Sequence, residues 1–157
     1  MISVVIVGTG NVAKHLFDAF SQSIKVKVNQ VVGRNKTQLK YFKNQTQITT
    51  DFSDIIASDI LIIAVSDDAI GKTSEYFINS DALVVHTSGN VSLEQLKSKK
   101  KGVFYPLQSF TQGQKIDFES IPICIEVKNK KDFEVLELLA KSISNQVFEI
   151  ALEQRRS

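Results

Sequence analysis

The chain has 157 residues, 43% of them hydrophobic, and a formal net charge of +2. That length allows one domain with a substantial core, and the composition is that of an ordinary globular protein. So mild a charge argues against a nucleic-acid or membrane-surface partner, no run of residues reaches membrane-spanning length, and a single cysteine excludes a disulfide within the chain.

Residues 1–20 read MISVVIVGTGNVAKHLFDAF. Val4, Val5, Ile6 and Val7 form a β-branched run too short for a helix, as a strand buried on both faces would be. Gly8-Thr9-Gly10-Asn11-Val12-Ala13 follows and fits G-x-G-x-x-[G/A]. Val12, Ala13, Leu16, Phe17 and Phe20 then recur at helical spacing. Strand, glycine turn and helix in that order make a dinucleotide-binding unit. Gly8 permits a tight turn, Gly10 leaves room for a pyrophosphate, and Ala13 lets the helix lie close to the strand. The helix start offers free N–H groups and the positive end of its dipole to phosphates. A glycine turn without a ligand is the bland alternative, and the strand–turn–helix context favours the nucleotide.

Val26, Val28, Val31 and Val32 mark a second strand that ends at Gly33-Arg34-Asn35. NAD sites place an acidic residue near this point, roughly 20 residues past the glycines, to hold the ribose hydroxyls. No Asp or Glu occurs between Asp18 and Asp51. Arg34, with Asn35 beside it, suits a 2′-phosphate instead, so NADP is the expected cofactor.

Lys36 to Lys43 read as a helix with Leu39 and Phe42 inward, Ile48 as a short strand, and Asp51 to Ala57 as a helical or turn segment. The run from Ile60 to Val65 is a buried strand whose end, Ser66-Asp67, borders the cofactor and starts a helix. Ala82 to Val85 form another strand, ending at His86-Thr87-Ser88-Gly89-Asn90. A helix from Ser92 through Lys99 follows, with Lys97, Lys99, Lys100 and Lys101 as its solvated end. Gly102 to Tyr105 form a short strand, and Leu107 to Thr111 a loop. Ile121 to Val127 are a strand in which Cys124 is buried, Asp132 caps a helix, and Val147, Phe148 and Ile150 belong to a last strand. The alternation of strands and helices defines an α/β fold: a doubly wound, mostly parallel Rossmann-type sheet in three α/β/α layers.

Ligands of open α/β sheets bind at the carboxyl ends of strands. His86 and Ser88 fall there and are the candidate catalytic residues, with His86 as proton donor and Ser88 holding a substrate oxygen. An equally supported alternative for His86 is a hydrogen-bonded brace of the strand end. His15, on the first helix, reads as exposed. No His, Cys and carboxylate cluster has metal-site spacing, and no hydrolase nucleophile motif occurs. The lack of a basic region ahead of the first apolar run leads us to expect a cytoplasmic protein.

GTGNVA, VGRN, AVSDDAI, HTSG and GVFYPLQSF together resemble the N-terminal domain of the oxidoreductases related to pyrroline-5-carboxylate reductase and ketopantoate reductase. The resemblance covers nearly the whole chain. It implies an NADP-binding domain over residues 1–152 and a connection beginning at 153–157 that leads into an all-helical domain. That second domain would complete the substrate cleft and carry a homodimer contact. The implied activity is NADP-dependent hydride transfer to a small carbonyl or imine. A non-catalytic NADP-binding module is the alternative. Tyr105 departs from the pattern, since the resemblance implies His at this position in many relatives.

Overall fold

The computed structural model describes residues 1–108 and 117–156. The expected loop residues Ser109, Phe110 and Thr111 lie outside them. The valine run forms strand β1 (Ile2–Val7), with Val4 to Val7 wholly buried. Helix α1 (Asn11–Ser21) turns Ala13, Leu16, Phe17 and Phe20 into the core. Strands β2 (Val26–Val32), β3 (Gln47–Thr49), β4 (Ile60–Ile63), β5 (Leu83–His86), β6 (Lys100–Pro106), β7 (Ile123–Val127) and β8 (Val147–Glu149) complete a sheet. Its order is β3-β2-β1-β4-β5-β6-β7-β8. All neighbours pair in parallel except β6 and β7.

Successive strand residues point to opposite faces, and both faces are apolar. Val4, Ile6, Ile60, Ile62 and Val85 meet α1 and helix α4 (Lys130–Lys141) on one face. The short helix α2 (Lys36–Leu39) adds Leu39 to that layer, and Phe42 follows from the turns beyond it. Val5, Val7, Leu61, Ile63 and Val84 face the other way. There the cover is thinner. Between β4 and β5 lie helix α3 (Ile70–Ser74) and flanking 3₁₀ turns that bring Ile70 and Phe77 down. A last short helix, α5 (Leu152–Arg156), follows β8 and buries Arg155. The three-layer, doubly wound α/β expectation is therefore met, and no helix among the described residues is long and apolar enough to cross a membrane.

Local differences have local causes. The helix expected over Ser92 to Lys99 is only a 3₁₀ turn, Leu93–Gln95. Leu93 and Leu96 are its buried residues, and no apolar side chain follows before Val103 to extend a stripe. Instead the Lys97 N–H donates to Ser74 Oγ, and Lys100 already opens β6 opposite Leu83. The segment Asp51 to Ala57 takes the turn alternative: the Asp54 N–H donates to the Asp51 carbonyl at 3.0 Å, and Phe52 and Ile55 pack inward. His15 is half-buried rather than exposed.

The cap of α4 is Asn129, not Asp132. Asn129 Oδ1 accepts from the Asp132 N–H at 2.9 Å, and Asn129 Nδ2 donates to Asp132 Oδ2 at 3.0 Å. Asn129 thus caps the helix, and its side-chain amide reaches the carboxylate of the third helical residue, a reciprocal pair of side-chain bonds that resembles a capping box. Asn129→Ala removes both bonds and should lower unfolding stability by about 1–2 kcal/mol. Urea titration checks this, and an unchanged midpoint would show that the box does not hold the helix.

Candidate functional site

At the carboxyl end of β1 the chain must leave the sheet beside β4, and Gly8 makes this possible. It sits at φ 135°, a conformation that side chains disfavour. A Cβ there would lie 2.1 Å from the Ala64 carbonyl oxygen. Gly10 differs. It precedes α1 in extended backbone, and a Cβ on it would meet no atom within 4 Å. The fold does not need a glycine at this position, whereas a ligand lying on the turn would. The first turn of α1 carries no acidic residue and no side-chain cap, so its positive end faces outward.

This turn forms one wall of a groove of about 410 Å³, within the usual size of small-molecule sites. Gly8, Thr9, Gly10, Asn11 and Val12 line it, while Ala13 packs beneath with no exposure. The end of β2 forms the next wall through Gly33, Arg34 and Asn35. The two walls are tied together. Thr9 Oγ1 donates to Gln38 Oε1 at 2.6 Å, and a Cβ on Gly33 would meet the Thr9 methyl at 2.4 Å. Asn35 Oδ1 accepts from the Gln38 N–H and so caps α2, which leaves its Nδ2 as a donor. The exposed Arg34 guanidinium lies 5.6 Å from the centre of the Phe52 ring, which also lines the groove.

Beyond β4, Ala64, Val65, Ser66 and Ala69 continue the lining, and Thr73 and Thr87 close its far side. Asp67 is exposed and faces a neighbouring groove with Lys72 and Arg156. His86 and Ser88 are not brought to the groove. His86 has no exposure, and its Nδ1 accepts from the Ser88 N–H at 3.0 Å. The Ser88 hydroxyl, also buried, accepts from the Asn90 N–H. Burial, and next the positive charge of Arg155, hold the His86 imidazole down to about 4. The carbonyls of Val91 and Ser92 oppose this, yet neither reaches hydrogen-bond geometry with Nε2. His86 is therefore neutral at pH 7, and its one hydrogen bond braces the loop after β5. The Tyr105 ring packs against that loop at Gly89, where a Cβ would stand 2.6 Å from Cζ.

The motif residues, Arg34, Asn35 and Ser66 thus converge on one groove. Phe52 and Thr73 join them without any motif to announce them, Thr87 joins from the HTSG segment, and Gln38 braces the turn from outside the groove through Thr9. Among the described residues no group of His, Cys, Asp and Glu is placed to hold a metal.

A sheet with this strand order, a glycine turn at the end of its first central strand and a groove over that turn define a Rossmann-type nucleotide-binding domain. The family described as NADP oxidoreductase, coenzyme F420-dependent, matches residues 3–89, over half of the chain, and the chain belongs to that family. Its family and fold are those of an NAD(P)-binding domain. Among solved structures it is similar to a candidate NADP oxidoreductase from Bacteroides fragilis (27% identity, TM-score 0.91), covering 99% of this chain and 62% of that one. It shares its fold with prephenate dehydrogenase from Aquifex aeolicus in complex with hydroxyphenyl propionate and NAD+ (14% identity, TM-score 0.83, 99% and 62% covered). The same holds for an imine reductase from Myxococcus stipitatus in complex with NADP+ (12%, TM-score 0.72, 98% and 56% covered). No curated protein matches the sequence. The chain spans about three fifths of the length of these solved relatives.

Gly10→Val should fold normally, because its Cβ meets nothing, and should lose pyridine-nucleotide binding by calorimetry. Retained affinity would place the nucleotide elsewhere.

His86 gives a second expectation. Its folded value of about 4 lies below the value of about 6.5 for an unperturbed histidine. As pH falls through that window the unfolded chain takes up a proton that the folded chain refuses, so stability declines. The loss between pH 7 and 4.5 amounts to roughly 2–3 kcal/mol. Urea unfolding of His86→Leu should show a flatter acid limb than the wild type by about that amount. Equal slopes would mean that His86 titrates normally.

Proposed function

We propose that the chain is the NADP(H)-binding part of an oxidoreductase that transfers hydride to a small carbonyl or imine. The observation that carries the cofactor choice is the end of β2. Arg34 is exposed at the groove, braced on Phe52, and no Asp or Glu lines the groove among the described residues. A carboxylate here would accept from ribose hydroxyls and repel a 2′-phosphate. The guanidinium offers forked donors to phosphate oxygens, and Asn35 Nδ2 adds a neutral donor.

In this reading the first turn of α1 receives the pyrophosphate, and the small residues Gly8 and Gly10 let it come close. The bound nicotinamide supplies the hydride. Ser66 and Thr87 stand at the far end of the groove and orient the reacting face. His86 stays neutral and holds the Ser88 N–H, which makes it a positioning residue rather than the proton donor. A helical domain after residue 152, which would close the substrate side and carry a dimer contact, is part of the same proposal. The burial of His86 favours a second reading, a module that binds NADP without turning it over.

The test is a set of dissociation constants for NADP and NAD, measured at one ionic strength for wild type and Arg34→Ala. A charge-assisted hydrogen bond contributes about 1.5–3 kcal/mol, so the variant should bind NADP roughly ten- to a hundredfold more weakly. NAD affinity should change far less. Equal losses for both, or a wild type that prefers NAD, would overturn the assignment.

A further inference from the structure

Arg155 is a cation with no exposed side-chain surface; both Nη atoms of its guanidinium are paired while Nε is buried without a partner, and the carboxylate beside it offsets the cost of burying the charge. Here the two ends of the fork point to different elements. Nη1 is paired with Glu126 Oε1 at 2.5 Å, on β7. Nη2 donates to the Val91 carbonyl at 2.7 Å, in the loop after β5. Sheet register explains the reach. Glu126 lies opposite Val103, and Val103 lies opposite His86, so the three share one row and one face of the sheet. Arg155 crosses that row from α5 and fastens the loop to it.

The loop in question has no regular secondary structure between His86 and Leu93. It begins at Thr87, which lines the groove. Its middle is held by the His86–Ser88 and Ser88–Asn90 hydrogen bonds and by the Tyr105 ring against Gly89. Its far end is held at Val91 by Arg155. We propose that Arg155 is a positioning residue: by fixing the Val91 carbonyl to Glu126 it sets the course of the Thr87–Ser92 loop, whose first residue, Thr87, lines the nicotinamide end of the groove. A lysine keeps the charge but cannot bridge both acceptors with a planar fork. The proposal rests on the reading of the groove as a dinucleotide site, and it assigns to α5 a part in that site.

The experiment separates the two ends of the groove. NADPH and 2′-phospho-ADP-ribose, which lacks the nicotinamide, are titrated calorimetrically into the 157-residue chain and its Arg155→Lys variant. Loss of the Val91 anchor should weaken NADPH about three- to tenfold and leave 2′-phospho-ADP-ribose unchanged, because Arg34 and the glycine turn are untouched. Amide resonances of residues 87–92 should move in Arg155→Lys while those of the glycine turn stay in place. Glu126→Gln, which weakens the anchor without touching the loop, should shift NADPH affinity in the same direction by less, and it serves alone if Arg155→Lys does not fold. Equal weakening of both ligands, or no change in either, overturns the positioning role. A wild type that binds 2′-phospho-ADP-ribose and NADPH equally well also overturns it, since the nicotinamide end would then contribute nothing. Failure of the wild type to bind either ligand overturns the dinucleotide reading itself and this proposal with it.

Discussion

A Cβ on Gly8 would overlap the Ala64 carbonyl, and the rest of the site depends on that close approach. Strands β1 and β4 are neighbours in register, and the Ala64 N–H donates to the Val7 carbonyl just before the two chains part. With Gly8 at φ 135° the chain swings over the end of β4 and delivers the start of α1 above the sheet. The same contact sets the distance between the glycine turn and Ala64, Val65 and Ser66 on the opposite wall. The groove is the gap left where α1 rises on one side of the sheet and the chain after β4 descends on the other, the switch point that open α/β sheets use for ligands.

The strands were legible because burial on both faces favours continuous apolar runs rich in β-branched residues, and Val4 to Val7, Ile60 to Ile63 and Leu83 to Val85 are such runs. The helix starts were less so. Asp132 has the composition of a cap, but Asn129 three residues earlier has the geometry, because its side-chain oxygen accepts from the Asp132 N–H while Asp132 sits inside the first turn. The stretch from Ser92 to Lys99 has good helix formers and no stripe, and tertiary pairing of Lys100 with Leu83 claimed its end for the sheet. Local preference is a few tenths of a kcal/mol per residue, about the size of effect that a strand pairing overrides.

The site divides the same way. Gly8, Gly10 and Arg34 announce themselves because their chemistry is unusual at their spacing. Gln38 and Phe52 do not, since their roles come from neighbours distant in sequence: Thr9 for one, Arg34 for the other. His86 is a polar residue at a strand end, which fits a catalytic role and a bracing role equally. Burial and hydrogen bonding, invisible in sequence, decide where its ring points. Arg155 falls in the stretch 153–157 that reads as a connection to a further domain, and its burial is not legible there because its partners lie 29 and 64 residues away.

The two ends of the groove are electrostatically unlike, and this has a physical logic. At the β2 end the cation Arg34 is exposed, so it keeps its hydration until a phosphate replaces that water. At the β5 end the cation Arg155 is buried and neutralised by Glu126, and His86 beside it is kept uncharged. An exposed charge attracts an anion, whereas a buried, paired charge holds backbone in place and adds little field. A dinucleotide with its charge gathered at the phosphates and a cationic or neutral ring at its far end matches that order. The ring would meet hydroxyls and backbone from Ser66 and Thr87 there, with no free cation facing it among the described groove residues on that side. In the proposed reading the ligand lies with its phosphates toward Arg34, the arginine that the fold leaves exposed, and its ring toward the end of the sheet where Arg155 is buried.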